Sequence, residues 1–208
     1  MSEEDIKLNF ITQAIQNRGW KNKITMETKV QFTDGRINLK GNFVSREPAK
    51  KAVYILYINA NNPIAFVEAK DNKHSVSHGL QQAMTYATMM DIPFAYSSNG
   101  DAFHEHDFLT GLEKEIPLDQ FPTYEELYER FKRGANGGQG LTPLETTMID
   151  QPYYTGQNTY APRYYQRIAI NRTVDAIARG QKRLLLVMAT GTGKTYPAFQ
   201  IVYRLLKA

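Results

Sequence analysis

Cysteine is absent from the 208-residue sequence, so disulfide bonds and thiolate metal sites are excluded. Long apolar runs are absent as well, because no stretch approaches the roughly 20 residues that a membrane-spanning helix needs. The first ten residues, MSEEDIKLNF, also lack the basic and then apolar pattern of a secretory signal. Together these absences predict a cytoplasmic protein with no membrane partner.

Charge is unevenly distributed along the chain. Residues 18–73 carry a net charge of +6, residues 91–150 carry −8, and residues 158–208 carry +8. Basic segments on either side of an acidic one favour surfaces that meet a polyanion such as a nucleic acid. An uneven spread of solvated charge is the alternative explanation.

The order of predicted elements indicates an α/β fold with a mixed central sheet flanked by helices. Helices are predicted over 3–18, 75–90, 123–132, 164–179 and 194–207, and strands over 28–33, 36–44, 52–58, 63–69, 93–97, 102–106 and 184–189. In the first helix, the spacing of Leu8, Ile11 and Ile15 predicts one shared buried face. Trp20, which follows that helix, is expected to pack in the core.

Composition divides the chain into three segments. Residues 1–132 contain most of the predicted sheet, whereas residues 133–157 are rich in Gly, Pro, Asn, Gln and Tyr. Such a composition is typical of a linker or a draped loop between domains. Residues 158–208 then begin a second, incomplete domain.

The most specific motif is the string ATGTGKT at residues 189–195, predicted to follow a buried strand and to begin a helix. A turn made by Gly191, Thr192 and Gly193 directs backbone N–H groups toward phosphate oxygens. Lys194 is expected to reach the β- and γ-phosphates, and the hydroxyl of Thr195 to bind Mg²⁺. The string therefore predicts a site for ATP and its Mg²⁺ ion.

This string resembles motif I of the superfamily-2 helicases and translocases, which implies the truncated start of a RecA-like P-loop domain. Upstream, Gln166 resembles the adenine-reading glutamine of those motors, because an amide both donates to and accepts from the adenine edge. A surface glutamine on a helix is the alternative. The sequence stops at Ala208 before any acidic box or arginine finger, so we expect the N-terminal piece of a longer protein.

A second candidate site lies at the end of the apolar strand predicted over 63–69. Because side chains alternate along a strand, Glu68 and Lys70 project from the same face. Glu68 can bind a hard divalent cation, with the backbone carbonyl of Ala69 as a further oxygen ligand. Lys70 can orient the attacking water or stabilise charge on a phosphoryl group. A salt-bridged strand end is the alternative.

The predicted helix after this strand carries Gln82 and Tyr86, four residues apart on one face. Glu-x-Lys followed by Gln-x-x-x-Tyr resembles the PD-(D/E)xK nucleases, in the subgroup in which this helix frames the DNA strand. The resemblance implies Mg²⁺-dependent cleavage of double-stranded DNA, with Gln82 and Tyr86 positioning the substrate. An exposed amide and a half-buried core ring are the alternative.

The nuclease-like segment, the Tyr-rich linker and ATGTGKT, in this order, resemble the restriction (R) subunit of type I restriction–modification enzymes. The resemblance covers nearly the whole chain and includes the stretches VEAKDNKHSV and IPFAYSSNGDAFHEHD. It implies an endonuclease and ATP-dependent DNA translocase that assembles with methylation and specificity subunits.

One position departs from the family pattern. The family places an Asp in the strand before Glu-x-Lys, whereas the string Lys51-Ala52-Val53-Tyr54 puts Val53 in that slot, and no acidic residue occurs from Pro48 to Val67. Loss of one of two carboxylates predicts weak Mg²⁺ binding and little or no cleavage. Two alternatives remain: a cleavage-silent DNA-binding or assembly module on an ATPase, and a general helicase with an unrelated accessory domain.

Overall fold

A six-stranded mixed sheet forms the centre of the fold in the computed structural model, which describes residues 2–26, 37–40, 43–46, 54–156 and 161–208. The described strands are β1 (Ile24–Met26), β2 (Ile37–Lys40), β3 (Phe43–Arg46), β4 (Tyr54–Asn59), β5 (Asn62–Ala69), β6 (Phe94–Ser98), β7 (Ala102–Asp107) and β8 (Leu112–Pro117). The sheet order is β1-β4-β5-β6-β7-β8, and only β5 and β6 pair in parallel among these described strands. The predicted α/β fold with a mixed sheet is confirmed.

Helices cover both faces of this sheet. The helices are α1 (Glu3–Ile6), α2 (Thr12–Ile15), α3 (Leu80–Met90), α4 (Tyr124–Gly138), α5 (Pro143–Asp150), α6 (Tyr164–Ala178) and α7 (Thr195–Lys207). One core lies between the sheet, α1, α2 and α4 and contains Trp20, and a second lies beneath α3. A third, smaller core joins α5, α6 and α7 around Met148, Ile170 and Val174. No helix in the described ranges is long and apolar enough to cross a membrane.

The first helical segment buries a different face from the predicted one. Leu8 is 57% exposed, whereas Ile6, Ile11 and Ile15 are buried. A π-helical turn over Lys7–Ile11 separates α1 from α2 and inserts one extra residue into the helical repeat. Positions five apart therefore align across the turn, which is why the prediction for Leu8 is wrong and those for Ile11 and Ile15 are confirmed.

The polar strands were harder to predict than the apolar ones. The predicted strand at 28–33 lies outside the described residues. The prediction of a single strand over 36–44 is wrong. Two strands, β2 and β3, pair antiparallel over residues 37–40 and 43–46. In the sequence they are separated by Gly-Asn, a pair typical of tight hairpins. Strand β8 was not predicted, since its sequence LEKEIP is mostly charged and exposed at the edge of the sheet.

Helical structure extends into the segment predicted as a linker. Within 133–157 lie the end of α4 and the whole of α5. Pro143 occupies the first turn of α5, and Thr142 and Glu145 form a capping box at its start. The linker is therefore partly a packed helix, and the boundaries of the three segments stay a prediction.

The predicted strand over 184–189 is wrong. The structure describes no strand there, and Leu185 and Val187 are 90% and 82% exposed. A strand needs a neighbour for its backbone hydrogen bonds, and neither described sheet includes this stretch. The apolar run is present, but the pairing that would make it a strand is not.

Glu145 ties α5 to α4 and α6. Its carboxylate, 1% exposed, accepts hydrogen bonds from the Thr142 N–H (2.7 Å), Asn136 Nδ2 (2.9 Å) and Arg179 Nε (2.9 Å). Burial alone would raise the pKa of Glu145, but these hydrogen bonds lower it to about 2. A carboxyl group with a lowered folded-state pKa stabilises the fold at every pH above its unfolded-state pKa.

We expect Glu145→Gln to destabilise the protein at pH 7 by roughly 2–3 kcal/mol. The difference from wild type should shrink as the pH falls from about 5 toward 2, because over that range the carboxyl group takes up a proton in the unfolded chain but largely not in the folded protein. Denaturant unfolding at pH 7 and pH 3 measures both values, with Glu115→Gln on the exposed edge strand as the control. A difference that does not change with pH would contradict this role.

Candidate functional site

Glu68 and Lys70 lie at the carboxyl end of β5, an interior strand of the sheet. Glu68 is 3% exposed, and Lys70 Nζ donates to Glu68 Oε1 at 2.8 Å. The second oxygen, Glu68 Oε2, is buried and has no hydrogen-bond partner among the described residues. A buried carboxylate oxygen without a donor is costly, so this oxygen is suited to binding a cation.

The helix α3 brings Gln82 and Tyr86 to the same place. Gln82 Oε1 accepts a hydrogen bond from Lys70 Nζ at 3.2 Å, and the Tyr86 ring packs 5.3 Å from that of Phe66. Four of the predicted nuclease residues are thus gathered at the end of β5. Their catalytic roles stay predictions.

Burial dominates the electrostatics of this site. It raises the pKa of Glu68, although the hydrogen bond and charge of Lys70 oppose the rise. Burial also raises the pKa of Tyr86, and the nearby charge of Glu68 raises it further. A carboxylate with a raised pKa in a water-poor site favours binding of a compensating cation.

Gly79 sets how closely α3 approaches the strand. It ends a 3₁₀ turn, Val76–Gly79, that leads into the helix. A Cβ atom at Gly79 would lie 3.0 Å from Glu68 Cγ and 3.3 Å from both Lys70 Cγ and Ser97 Cβ. A larger residue at position 79 would therefore press on the two charged side chains, which would have to shift by a few tenths of an ångström. Sequence reasoning missed this residue, because the contact joins segments that are not adjacent in the chain.

We expect Gly79→Ala to displace the Glu68 and Lys70 side chains and to destabilise the protein by about 1–3 kcal/mol, the usual range for overpacking. Ser77→Ala is the matched control, since Ser77 is exposed on the same turn. Its effect should stay within about 0.5 kcal/mol. Denaturant unfolding of both variants provides the comparison, and equal losses would contradict the proposed close approach.

The donor set for a metal ion is short of one carboxylate. Val53 lies outside the described residues. Within the described ranges, no three His, Asp or Glu side chains are arranged to hold a metal ion. Glu68 supplies one carboxylate with an unpaired oxygen, and the ligand role of the Ala69 carbonyl stays a prediction. The described residues therefore offer Mg²⁺ one carboxylate ligand, whereas such a centre usually has two.

The ATGTGKT string forms a tight turn that leads into α7. Gly191 and Gly193 adopt positive φ angles of 80° and 72°, which favour glycine. Between them, the Thr192 hydroxyl donates to the Ala189 carbonyl at 2.6 Å. Lys194 is exposed at the entrance to the helix. The turn and the helix start are as predicted, and they suit an anion such as a nucleotide phosphate.

Gln166 lies against this turn and is not a surface side chain. It is 8% exposed, and its Nε2 donates to the carbonyls of Thr192 (2.9 Å) and Gly193 (3.4 Å). Its Oε1 accepts from the Arg163 N–H at 3.0 Å. A Cβ atom at Gly193 would come within 3.0 Å of the Gln166 amide nitrogen. Adenine recognition by this amide stays a prediction.

Comparison with known sequences finds two curated relatives from Escherichia coli. The chain is 42% identical, over all of its length, to the endonuclease subunit of the type I restriction enzyme EcoAI, of which it covers 26%. It is 26% identical to the endonuclease subunit of the type I restriction enzyme EcoKI from strain K12, with 76% of this chain and 17% of the relative aligned. The chain thus spans about a quarter of the length of the first relative.

Two further comparisons agree with these relatives. Residues 159–208 match the family described as "Type III restriction enzyme, res subunit". The fold superposes with a TM-score of 0.84 on a solved fragment assigned as an HsdR subunit of a type I restriction enzyme from Vibrio vulnificus YJ016. Sequence identity to that fragment is 40%, and the alignment covers all of this chain and 38% of the fragment.

Proposed function

We propose that this chain, which is 42% identical over its whole length to the endonuclease subunit of the type I restriction enzyme EcoAI, carries the nuclease centre and the first part of an ATP-dependent DNA motor. The observation that supports the nuclease most directly is the gathering of Glu68, Lys70, Gln82 and Tyr86 at the end of β5. The turn at 191–193 in the same chain supports the motor.

In the proposed nuclease reaction, Glu68 Oε2 and the Ala69 carbonyl would hold Mg²⁺, which supplies electrostatic activation of the attacking water. Lys70 places its ammonium group beside the scissile phosphate and stabilises the charge that develops on the phosphoryl oxygens. Gln82 holds that ammonium group through the 3.2 Å hydrogen bond, which limits its motion during the reaction. Gln82 and Tyr86 also border the path of the DNA strand.

Cleavage by this chain is expected to be weak. Val53 replaces the second carboxylate, so the centre offers Mg²⁺ one negatively charged ligand where two are needed to hold it firmly. The apolar isopropyl group of valine also disfavours a hydrated ion nearby. The nuclease fold and its lysine are therefore retained while the metal is poorly bound.

The proposed motor binds ATP with Gln166 at the adenine and the turn of Gly191, Thr192 and Gly193 at the phosphates. Lys194 would bind the β- and γ-phosphates, and the hydroxyl of Thr195 would bind the accompanying Mg²⁺. In the whole subunit this site would drive translocation along double-stranded DNA.

The proposal extends to organisation and partners. Residues 1–132 form the nuclease domain, 133–157 a connecting segment, and 158–208 the beginning of the motor domain. The methylation and specificity subunits of the restriction complex are the proposed partners, and the cytoplasm, where DNA and ATP are available, is the proposed location.

A complex assembled from the full-length subunit and its methylation and specificity subunits tests the proposal. On DNA that carries the recognition site, we expect DNA-stimulated ATP hydrolysis and few double-strand breaks from the Val53 form. Absence of DNA-stimulated ATP hydrolysis would contradict the motor assignment. Efficient cleavage by the Val53 form would contradict the proposed weakness of the metal site.

Val53 also supports a second candidate function, a cleavage-silent module that binds DNA or holds the complex together. In that case the Glu68–Lys70 pair would serve packing alone. Cleavage restored by the Val53→Asp substitution favours the nuclease, whereas unchanged DNA binding without any cleavage favours the silent module.

A further inference from the structure

Side chains from two distant parts of the chain converge on one carbonyl, that of Ile149 in the last turn of α5. Asn59 Nδ2 and Asn62 Nδ2, at the turn of the β4–β5 hairpin, donate to it at 3.1 and 2.6 Å. Arg204 of α7 donates to the same carbonyl at 3.4 Å and to that of Met148. The last carbonyls of a helix lack intrahelical partners and lie at the negative end of its dipole, so these donors complete the end of α5.

Arg204 is a buried basic side chain whose guanidinium group is surrounded by neutral hydrogen-bond acceptors. It is 1% exposed and forms no salt bridge within the described ranges. Its other contacts are Asn171 Oδ1, at 2.8 Å, and the Tyr153 ring, whose centroid is 5.3 Å from the guanidinium carbon. A buried guanidinium is expensive unless several fixed acceptors surround it. Arg204 therefore depends on the exact position of the α5 carbonyls.

One helical turn before Arg204, Gln200 holds the same stretch of backbone. Gln200 is fully buried, its Oε1 accepts from the Tyr154 N–H at 2.9 Å, and its Nε2 donates to the Tyr154 carbonyl at 3.1 Å. In contrast, Phe199 and Val202 on the same helix are 49% and 56% exposed. The buried side of α7 thus includes two polar side chains, Gln200 and Arg204, which bind the backbone of residues 148–154.

The side chains that donate to the Ile149 carbonyl belong to elements that lead to the two candidate sites. Helix α7 begins at Thr195, directly after Lys194 of the phosphate-binding turn. Strand β5 begins at Asn62 and contains Glu68 near its other end. The side chain of Asn59 also accepts the N–H groups of Asn61 and Asn62, at 3.1 and 3.2 Å, which fixes the hairpin turn. Residues 148–154 therefore lie between the helix of one site and the strand of the other.

We propose that residues 148–154 couple the nucleotide site to the nuclease strand, with Arg204 as the positioning residue that transmits the state of α7 through the Ile149 carbonyl to Asn59 and Asn62. The inference rests on the proposed function of the phosphate-binding turn. A shift of α7 on nucleotide binding changes the Arg204 hydrogen bonds, and because the acceptors are shared, the hairpin donors must adjust as well. Packed hydrogen-bonded contacts of this kind switch between discrete arrangements.

Hydrogen–deuterium exchange of the full-length subunit tests the coupling without requiring DNA cleavage. In wild type, a non-hydrolysable ATP analogue with Mg²⁺ should change the exchange rate of amides within residues 59–69 by about fivefold, near the lower end of typical allosteric coupling. In Arg204→Met the nucleotide should still bind, with an affinity within about twofold of wild type, but the change at 59–69 should disappear. Val202→Ala, an exposed position on the same helix, should keep the full response.

Asn62→Ser provides a second variant on the opposite side of the Ile149 carbonyl, with Arg204 intact. It should lose the response at residues 59–69 in the same way. A full nucleotide response in both variants, or none in a wild-type subunit that binds nucleotide, would overturn the coupling and leave the proposed function standing. Failure of the wild-type subunit to bind nucleotide at all would overturn the proposed function together with the coupling.

Discussion

Val53→Asp is expected to raise Mg²⁺-dependent double-strand cleavage by the assembled complex by about 10²–10³-fold, the size of effect seen when a principal electrostatic element of an active site is restored. The other parts of the centre are already in place. Glu68 Oε2 is buried without a hydrogen-bond donor among the described residues, and Lys70 is held by Glu68 and Gln82. A carboxylate at position 53 would supply the second charged ligand that the proposed metal site lacks.

Cleavage of supercoiled plasmid carrying the recognition site, with ATP and Mg²⁺ present, measures this gain. Val53→Asn is the matched control, because asparagine has the shape of aspartate but not its charge, and it should restore little activity. The double variant Val53→Asp/Glu68→Gln should return to the level of the Val53 form. Equal activity of the wild-type and Val53→Asp complexes would show that the second carboxylate is not what limits cleavage.

Lys194→Ala should lower DNA-stimulated ATP hydrolysis by the full-length subunit by roughly 10²–10³-fold, because it removes the charge closest to the transferred phosphoryl group. Lys194 is exposed at the start of α7, next to the left-handed turn of Gly191 and Gly193. No other side chain of that turn carries a positive charge, so the loss has no local replacement.

The control for this variant is Lys182→Ala, an exposed lysine upstream of the same loop. It should leave ATP hydrolysis within about twofold of wild type, as is usual for surface substitutions away from a site. A colorimetric phosphate assay with and without DNA distinguishes the two variants. Equal hydrolysis by Lys194→Ala and wild type would contradict the assignment of the phosphate-binding turn.

The nuclease strand could be predicted from sequence because its signals are local. The apolar run ending in Glu68 defines β5, and strand alternation places Lys70 on the same side. The four-residue spacing of Gln82 and Tyr86 likewise follows from the helical repeat. These short-range rules are sufficient to bring the pairs to one face, although they do not define the distance between the helix and the strand.

Features that depend on distant contacts could not be predicted in this way. The π-helical turn at Lys7–Ile11 changes which residues of the first helix are buried, so Leu8 faces solvent. Gly79 is favoured by its close approach to Glu68 and Lys70, a contact between separate elements. In the sequence Arg204 has the pattern of an ordinary basic residue near a helix end. The structure shows that it is buried and that it donates to carbonyls of α5.

The proposed nuclease centre is assembled but lacks one metal ligand. Mg²⁺ binding tests this proposal most directly, measured by isothermal titration calorimetry on the full-length subunit without nucleotide. We predict weak binding by the Val53 form and at least about tenfold tighter binding by Val53→Asp, equivalent to about 1.4 kcal/mol. Adding Glu68→Gln to Val53→Asp should abolish that gain. Mg²⁺ binding by the Val53 form that is as tight as that of Val53→Asp would contradict the account.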